Sequence, residues 1–391
     1  MRTYVLLLLV VLGFCPHNVD GAQRPKKIEP LITPVLPAEQ AWQVVLPFPP
    51  SAAAAMDDSR VYIPLDGEHF AALDRETGAT VWTVDIESAW PPLVCDGVVY
   101  LAASDELHAL DAASGTHRWR VTLPRGAMAP MGMTPAALIV LAAPDSVLAF
   151  KTSDGSLMWS RSLGGRSGRV SMAVNETGIY VSLVDRLMHV ALTDGAIRWN
   201  RTLPGEIAST ALARDRVFAG STSNEIYALD PHRGRLAWKF RFGGDVVGIA
   251  TTDDLVFVVS LDNLVRALNR SNGNQVWKRP LITRPVAAPQ VFDGVVAVAG
   301  AESVATFNSK TGAPIGTFDS PNLFRGQPLV DATPAPFAVS ILAITRDGRA
   351  IGLRPVEMLF RERPVEPFTA LPGRPLQKET SPLPNARAPL D

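Results

Sequence analysis

Seven tryptophans, Trp42, Trp82, Trp119, Trp159, Trp199, Trp238 and Trp277, fall 40, 37, 40, 40, 39 and 39 residues apart. This spacing constrains the fold more than any other feature of the chain. A sequence repeating at a fixed period is built from equal supersecondary units, each burying its faces against the next. A unit of about 40 residues holds four short strands and their turns, the size of a propeller blade. Only Trp90 stands off the comb. The chain's 33 prolines and 29 glycines suit many turns better than long helices.

The local unit is most complete at Ala72-Leu73-Asp74-Arg75-Glu76-Thr77-Gly78, four residues before Trp82. Gly115, Gly155, Gly195, Gly234 and Gly273 lead in the same way to the next five tryptophans. The copy at Ala191-Leu192-Thr193-Asp194-Gly195 reads as two residues shorter in its turn. Gly312 leads to Gly316 where tryptophan is expected, and Phe318, on the same face of a strand, is the candidate to fill the space. The glycine permits a positive φ in the hairpin. The Asp or Asn before it can bond back to turn amides. The tryptophan then packs between neighbouring blades. A second comb, Asp66, Asp105, Asp145, Asp185, Asn224, Asp262, Glu302 and Asp347, reads as a repeated tight turn between second and third strands rather than a cation site.

Seven Gly-turn copies are followed by three more strands, Gln327–Val330, Val339–Ile344 and Arg349–Leu353, with no fourth. Ala41–Leu46 is an outer strand without a blade, and Trp42 is in phase with the comb. The expectation is an all-β, eight-bladed β-propeller over residues 41–354. Its N-terminal outer strand, residues 41–47, completes the last blade beside 349–353 and removes the exposed edges.

The ends carry other signals. Arg2 precedes an apolar run from Val5 to Leu12, too short for the roughly 20 residues that span a bilayer. It reads as a secretory signal peptide over residues 1–22, cut after Ala22. The rival is a lipoprotein leader anchored through Cys15, which Phe14 disfavours. Loss of residues 1–22 would leave Cys95 as a single, buried thiol. Residues 23–40 read as a Pro-rich linker and residues 355–391 as a Pro-rich disordered tail, since neither can bury enough apolar area to offset ordering. A net charge of -1 excludes the basic excess of a duplex binder. Two cysteines exclude a disulfide scaffold and a cysteine-rich zinc site. His69, His108 and His189 fall in third strands of three blades, at equivalent or nearly equivalent places too far apart to share a ligand.

The unit Ala-Leu-Asp-x-x-Thr-Gly-x-x-x-Trp at Ala72–Trp82 resembles the tryptophan-docking repeat of the pyrroloquinoline-quinone (PQQ) propeller superfamily, over residues 41–354. The superfamily includes periplasmic quinoprotein dehydrogenases and non-catalytic outer-membrane assembly scaffolds of the BamB type. The chain looks more like the second. Such dehydrogenases use adjacent cysteines and calcium-binding carboxylates. This chain has no Cys-Cys, and its expected first strands hold no charged residue. A calcium site needs several oxygen ligands, usually with carboxylates among them. The resemblance therefore implies a non-catalytic, monomeric scaffold in the periplasm or cell envelope, with a protein partner and no cofactor, metal, nucleic acid or membrane span. A quinone-dependent dehydrogenase and a sugar-binding or hydrolase propeller are the alternatives.

Strands in a blade alternate in direction, so blade-to-blade connections share a face with the second-to-third turns. That face collects Trp90, Met128, Met131, Arg166, Arg169, Arg284, Phe324 and Arg325. Tryptophan, methionine and arginine are enriched in protein-contact cores, which makes this the candidate partner face.

Overall fold

The computed structural model describes residues 36, 38–165, 168–292, 294–320, 322–330 and 339–356. They form eight four-stranded antiparallel sheets, each with its strands in spatial sequence. Blade 1 shows the pattern: Ala55–Met56, Arg60–Leu65, His69–Asp74 and Thr80–Val84. Blades 2 to 7 repeat it up to Asp319. Blade 8 takes three strands, Leu329–Val330, Ile341–Ile344 and Arg349–Pro355, from one end of the ring and its outermost strand, Ala38–Val45, from the other. Ala38 pairs with Pro355 and Val45 with Arg349, which closes the ring. The expected linker to residue 40 is corrected, because the closing strand begins at Ala38 and Leu36 is already buried.

The tryptophans dock each blade onto the next. The indole N–H of Trp42, Trp82, Trp119, Trp159, Trp199, Trp238 and Trp277 donates to the carbonyl of Arg75, Ala112, Thr152, Leu192, Pro231, Arg270 and Ser309 respectively, at 2.7–3.1 Å. These carbonyls belong to the third-to-fourth turn of the following blade, and the ring lies against that turn's glycine. The glycine is required twice over. At Gly78 φ is +72°, and a Cβ there would meet the Trp42 ring at 2.6 Å. The other six turns repeat both conditions. A one-residue bulge precedes each tryptophan, so that Ala72 faces Trp82 while Leu73 faces Thr80.

Three readings are corrected here. The blade 4 turn is not short: Val190 and Ala191 stand where Leu73 and Asp74 stand in blade 1, and the Leu192 carbonyl receives Trp159 in register. Gly316 is covered not by Phe318 but by Leu36, whose Cβ lies 2.7 Å from where a Gly316 Cβ would be. Phe318 packs half-buried in the same cluster. The three histidines are not equivalent: His69 begins its strand, His108 lies one residue before the position facing tryptophan, and His189 faces Trp199 itself. Cys95 is buried among the strands of blades 2 and 3; Cys15 lies outside the described residues.

The eight first strands carry no charged residue. Those of blades 4, 5 and 6 run 6, 7 and 6 residues and touch closely, with Thr210 N–H donating to Ser171 Oγ at 2.8 Å. In blades 7, 8 and 1 they are only 3, 2 and 2 residues long. Side-chain amides take over there: Gln290 donates to Pro328 O and accepts from Val330 N–H.

Candidate functional site

Main-chain hydrogen bonds sort the loops onto two faces. On one, the third-to-fourth turns bond the first-to-second turns, as Arg75 N–H does to Ser59 O at 3.0 Å. On the other, the connections between blades bond the second-to-third turns, as Val184 N–H does to Arg169 O at 2.8 Å. The acidic comb sits in those second-to-third turns. Asp262 is tied there by Arg266 and Ser260, whose hydrogen bonds outweigh the opposing effect of burial and hold its carboxyl below the usual range. Asp347 is held low mainly by the Thr345 hydroxyl, with Arg349 adding to it. The Asp262 and Asp347 carboxylates are thus occupied by hydrogen bonds from their own turns and the adjoining connections. Among the described residues no group of three or more His, Cys, Asp or Glu side chains gathers as a metal site.

The connector face holds some of the expected partner residues and withdraws others. Met131 and Phe324 are buried in the blade cores, so they are corrected out of it. Trp90 is half-buried and donates its indole N–H to Ala127 O at 3.1 Å, a smaller version of the blade-to-blade dock. Met128 is half-buried and lines a shallow depression with a cavity volume of only about 10 Å³, together with Leu163, Ser182 and Leu183. That is below the roughly 300–1,000 Å³ of small-molecule pockets. Arg169 is exposed and lies 3.7 Å from Glu206. Arg284 and Arg325 are exposed, and Arg325 reaches Ser51 O at 2.9 Å. Arg166 lies outside the described residues.

The structure brings together a sector that the sequence reading missed. The connections into blades 7, 8 and 1 are lashed to one another: Gln327 Nε2 donates to Ala288 O at 2.7 Å, and Arg325 to Ser51 O. Each touches its second strand once at the rim, at Pro285–Gly300, Phe324–Thr345 and Pro50–Leu65, before the first strand proper begins. This tied surface exposes Ile282 at 85%, Val286, Leu323 and Phe48, beside Arg284, Arg325 and Arg346. Arg284 makes no ion pair among the described residues. No repeat signal marks these positions, because connections lie outside the repeated turn.

A second missed set is structural. Two residues after the tryptophan, Arg161, Arg201 and Arg279 donate Nε–H to the carbonyls of Gly195, Gly234 and Gly312 at 2.7–2.9 Å. The recurring Trp-x-Arg spacing was the available signal.

A closed ring of eight blades, docked by tryptophan at seven of its boundaries, defines the class: a β-propeller built of PQQ-like repeats. The family described as outer membrane protein assembly factor BamB matches residues 66–214 and 189–357, and the chain belongs to it. Among solved structures, BamB from Moraxella catarrhalis is similar with a TM-score of 0.64 and 18% identity, over 81% of this chain and 99% of that one. Quinohemoprotein alcohol dehydrogenase ADHIIG from Pseudomonas putida HK5 has a TM-score of 0.65 and 12% identity, over 89% and 79%. Saccharomyces cerevisiae Sqt1 reaches 0.70 at 10% identity, over 82% and 100%. At such identities the likeness is one of fold. No curated relative matches the sequence.

Proposed function

We propose that this protein is a non-catalytic scaffold of the bacterial cell envelope that takes part in outer-membrane protein assembly by docking a protein partner. In this reading residues 1–22 are a signal peptide that delivers the ring to the periplasm, and the ring acts as a monomer. No helix among the described residues is long and apolar enough to cross a membrane. The family membership supports the process. The observation that carries the docking role is the tied connector sector of blades 7, 8 and 1, where exposed Ile282, Leu323 and Phe48 lie among Arg284, Arg325 and Arg346. Apolar groups ringed by arginines on a pre-ordered surface suit protein contact at low entropic cost.

The dehydrogenase alternative shares the fold alone. Uncharged first strands supply none of the carboxylates a calcium-held quinone needs. The test is affinity capture from an envelope fraction with Ile282→Glu/Leu323→Glu and with Arg284→Glu/Arg325→Glu. Both variants keep the wild-type melting temperature and lose the wild-type partner. Full retention by both would move the site off this sector, and saturable uptake of quinone with calcium would reinstate the enzyme reading.

A further inference from the structure

The outermost strand of every blade presents one row of backbone N–H and C=O groups to the outside, and proteins commonly guard such edges with charge or proline. Seven of the eight blades do so: their outermost strands each contain at least one Lys, Arg, Asp, Glu or Pro, such as Arg118, Arg161, Lys239 and Pro314. Blade 1 does not. Its edge, Thr80-Val81-Trp82-Thr83-Val84, has no charge, proline or glycine, and four of its five residues are β-branched. Val81 at the bulge is 44% exposed. Among the described residues no strand pairs with its outer side. The strand is flanked by exposed acids: Glu76 before it, Asp85 and Glu87 after it. The Asp85 side chain is 88% exposed.

We propose that the free edge of Thr80–Val84 receives an extended segment of another protein as a fifth strand of blade 1, with basic residues of that segment against Asp85 and Glu87. Backbone pairing supplies the attachment, and the flanking charge sets which end of the segment lies where. A second copy of this chain is the poorer occupant. A two-fold antiparallel pair centred on Trp82 sets Asp85 opposite Ala79 and Glu87 opposite Thr77, next to Glu76. Acids then face acids at both ends, with no Lys or Arg on either strand and only each chain's own His69, 3.4 Å from Asp85, beside them. The site lies on the rim, apart from the connector sector, and does not depend on that reading.

The probe is a fluorescein-labelled, end-capped octapeptide of alternating Val and Thr that ends in two lysines, measured by fluorescence anisotropy against the full chain. Saturable binding is expected. It weakens at least about tenfold with Val81→Lys/Thr83→Lys, with a peptide N-methylated along one edge, and with two glutamates in place of the lysines. Binding to Ile282→Glu/Leu323→Glu is unchanged, so failure here and failure of the connector sector are told apart. The peptide changes test the edge even where the double variant folds poorly. No saturable binding, equal binding by the N-methylated peptide, or equal binding by Val81→Lys/Thr83→Lys overturns the proposal. So does a dimer in sedimentation that this variant dissolves, which would make the occupant a second copy.

Discussion

Seven blade boundaries are closed by one device and the eighth by another. At the seven, an indole reaches across to a turn carbonyl and lies on a glycine. At the boundary between blades 7 and 8 there is no turn to receive it, because the third strand of blade 8 ends at Pro355 and its fourth begins at Ala38. The tryptophan is absent at the same place: Gly316 occupies the position, and Leu36, just ahead of the closing strand, fills the gap. Donor and acceptor sites are lost together. The seam is packed by aliphatic and phenyl groups, among them Phe292, Ile341, Ile351 and Leu353. On its other side blade 8 carries polar ties beyond the indole dock. Trp42 docks on Arg75 O, the Arg75 guanidinium bonds Val339 O, and the Glu76 carboxylate accepts from Val339 N–H. The comparison teaches that the first blade's turn carries polar side chains suited to closure, while at the last boundary the outer part of the seam is held by burial and the polar ties lie at the first strands, through Gln290, and at the connections, through Gln327.

The strongest way to break this comparison is to remove residues 1–48. That takes away Leu36, Trp42 and the closing strand together and is expected to cost roughly 5 kcal/mol or more. A truncated chain with the melting temperature of the intact one would refute closure. Next, Trp199→Ala should cost about 3–5 kcal/mol in urea unfolding, as for other buried aromatics. Leu36→Ala should cost about 2–3 kcal/mol, because the Leu36 side chain contributes burial only. If Leu36→Ala matched Trp199→Ala, the seam would be no weaker than a dock. Gly195→Ala sharpens the dock itself. Its Cβ would stand 2.5 Å from the Trp159 ring at a φ of +67°, with an expected loss of roughly 1–3 kcal/mol. Trp90→Ala, which breaks a half-buried contact, should lose no more than about 2 kcal/mol.

The smallest effect concerns acid. The Arg118 guanidinium, with the Ser114 hydroxyl, pulls the Asp111 carboxyl down to about 2 from 3.8. A lowered carboxylate stabilises the fold above its unfolded value and loses that contribution as pH falls through the folded one. Asp111→Asn should therefore flatten the stability–pH slope between about 4 and 2 and leave pH 7 packing unchanged.

The docks were legible in the sequence because a tryptophan and a glycine at fixed spacing are rare residues under a double constraint. Leu36 was not, since a single leucine in a Pro-rich stretch has no period. The blade 4 turn was misread because Ala191-Leu192 imitates the Ala-Leu of the strand two residues late. The candidate face was half legible. Alternating strand direction placed the connections on one side, but composition could not tell that Met131 and Phe324 point into the core while Ile282 and Leu323 point out. Connections carry no repeat, so burial there is decided by tertiary packing.

Hydrogen exchange of the intact chain, followed by mass spectrometry, tests ring closure most directly. The account predicts that amides of the closing strand, Ala38–Val45, exchange as slowly as those of Ile197–Thr202, an outermost strand docked at both boundaries. Exchange of Ala38–Val45 within the dead time, as for an unpaired linker, would contradict it.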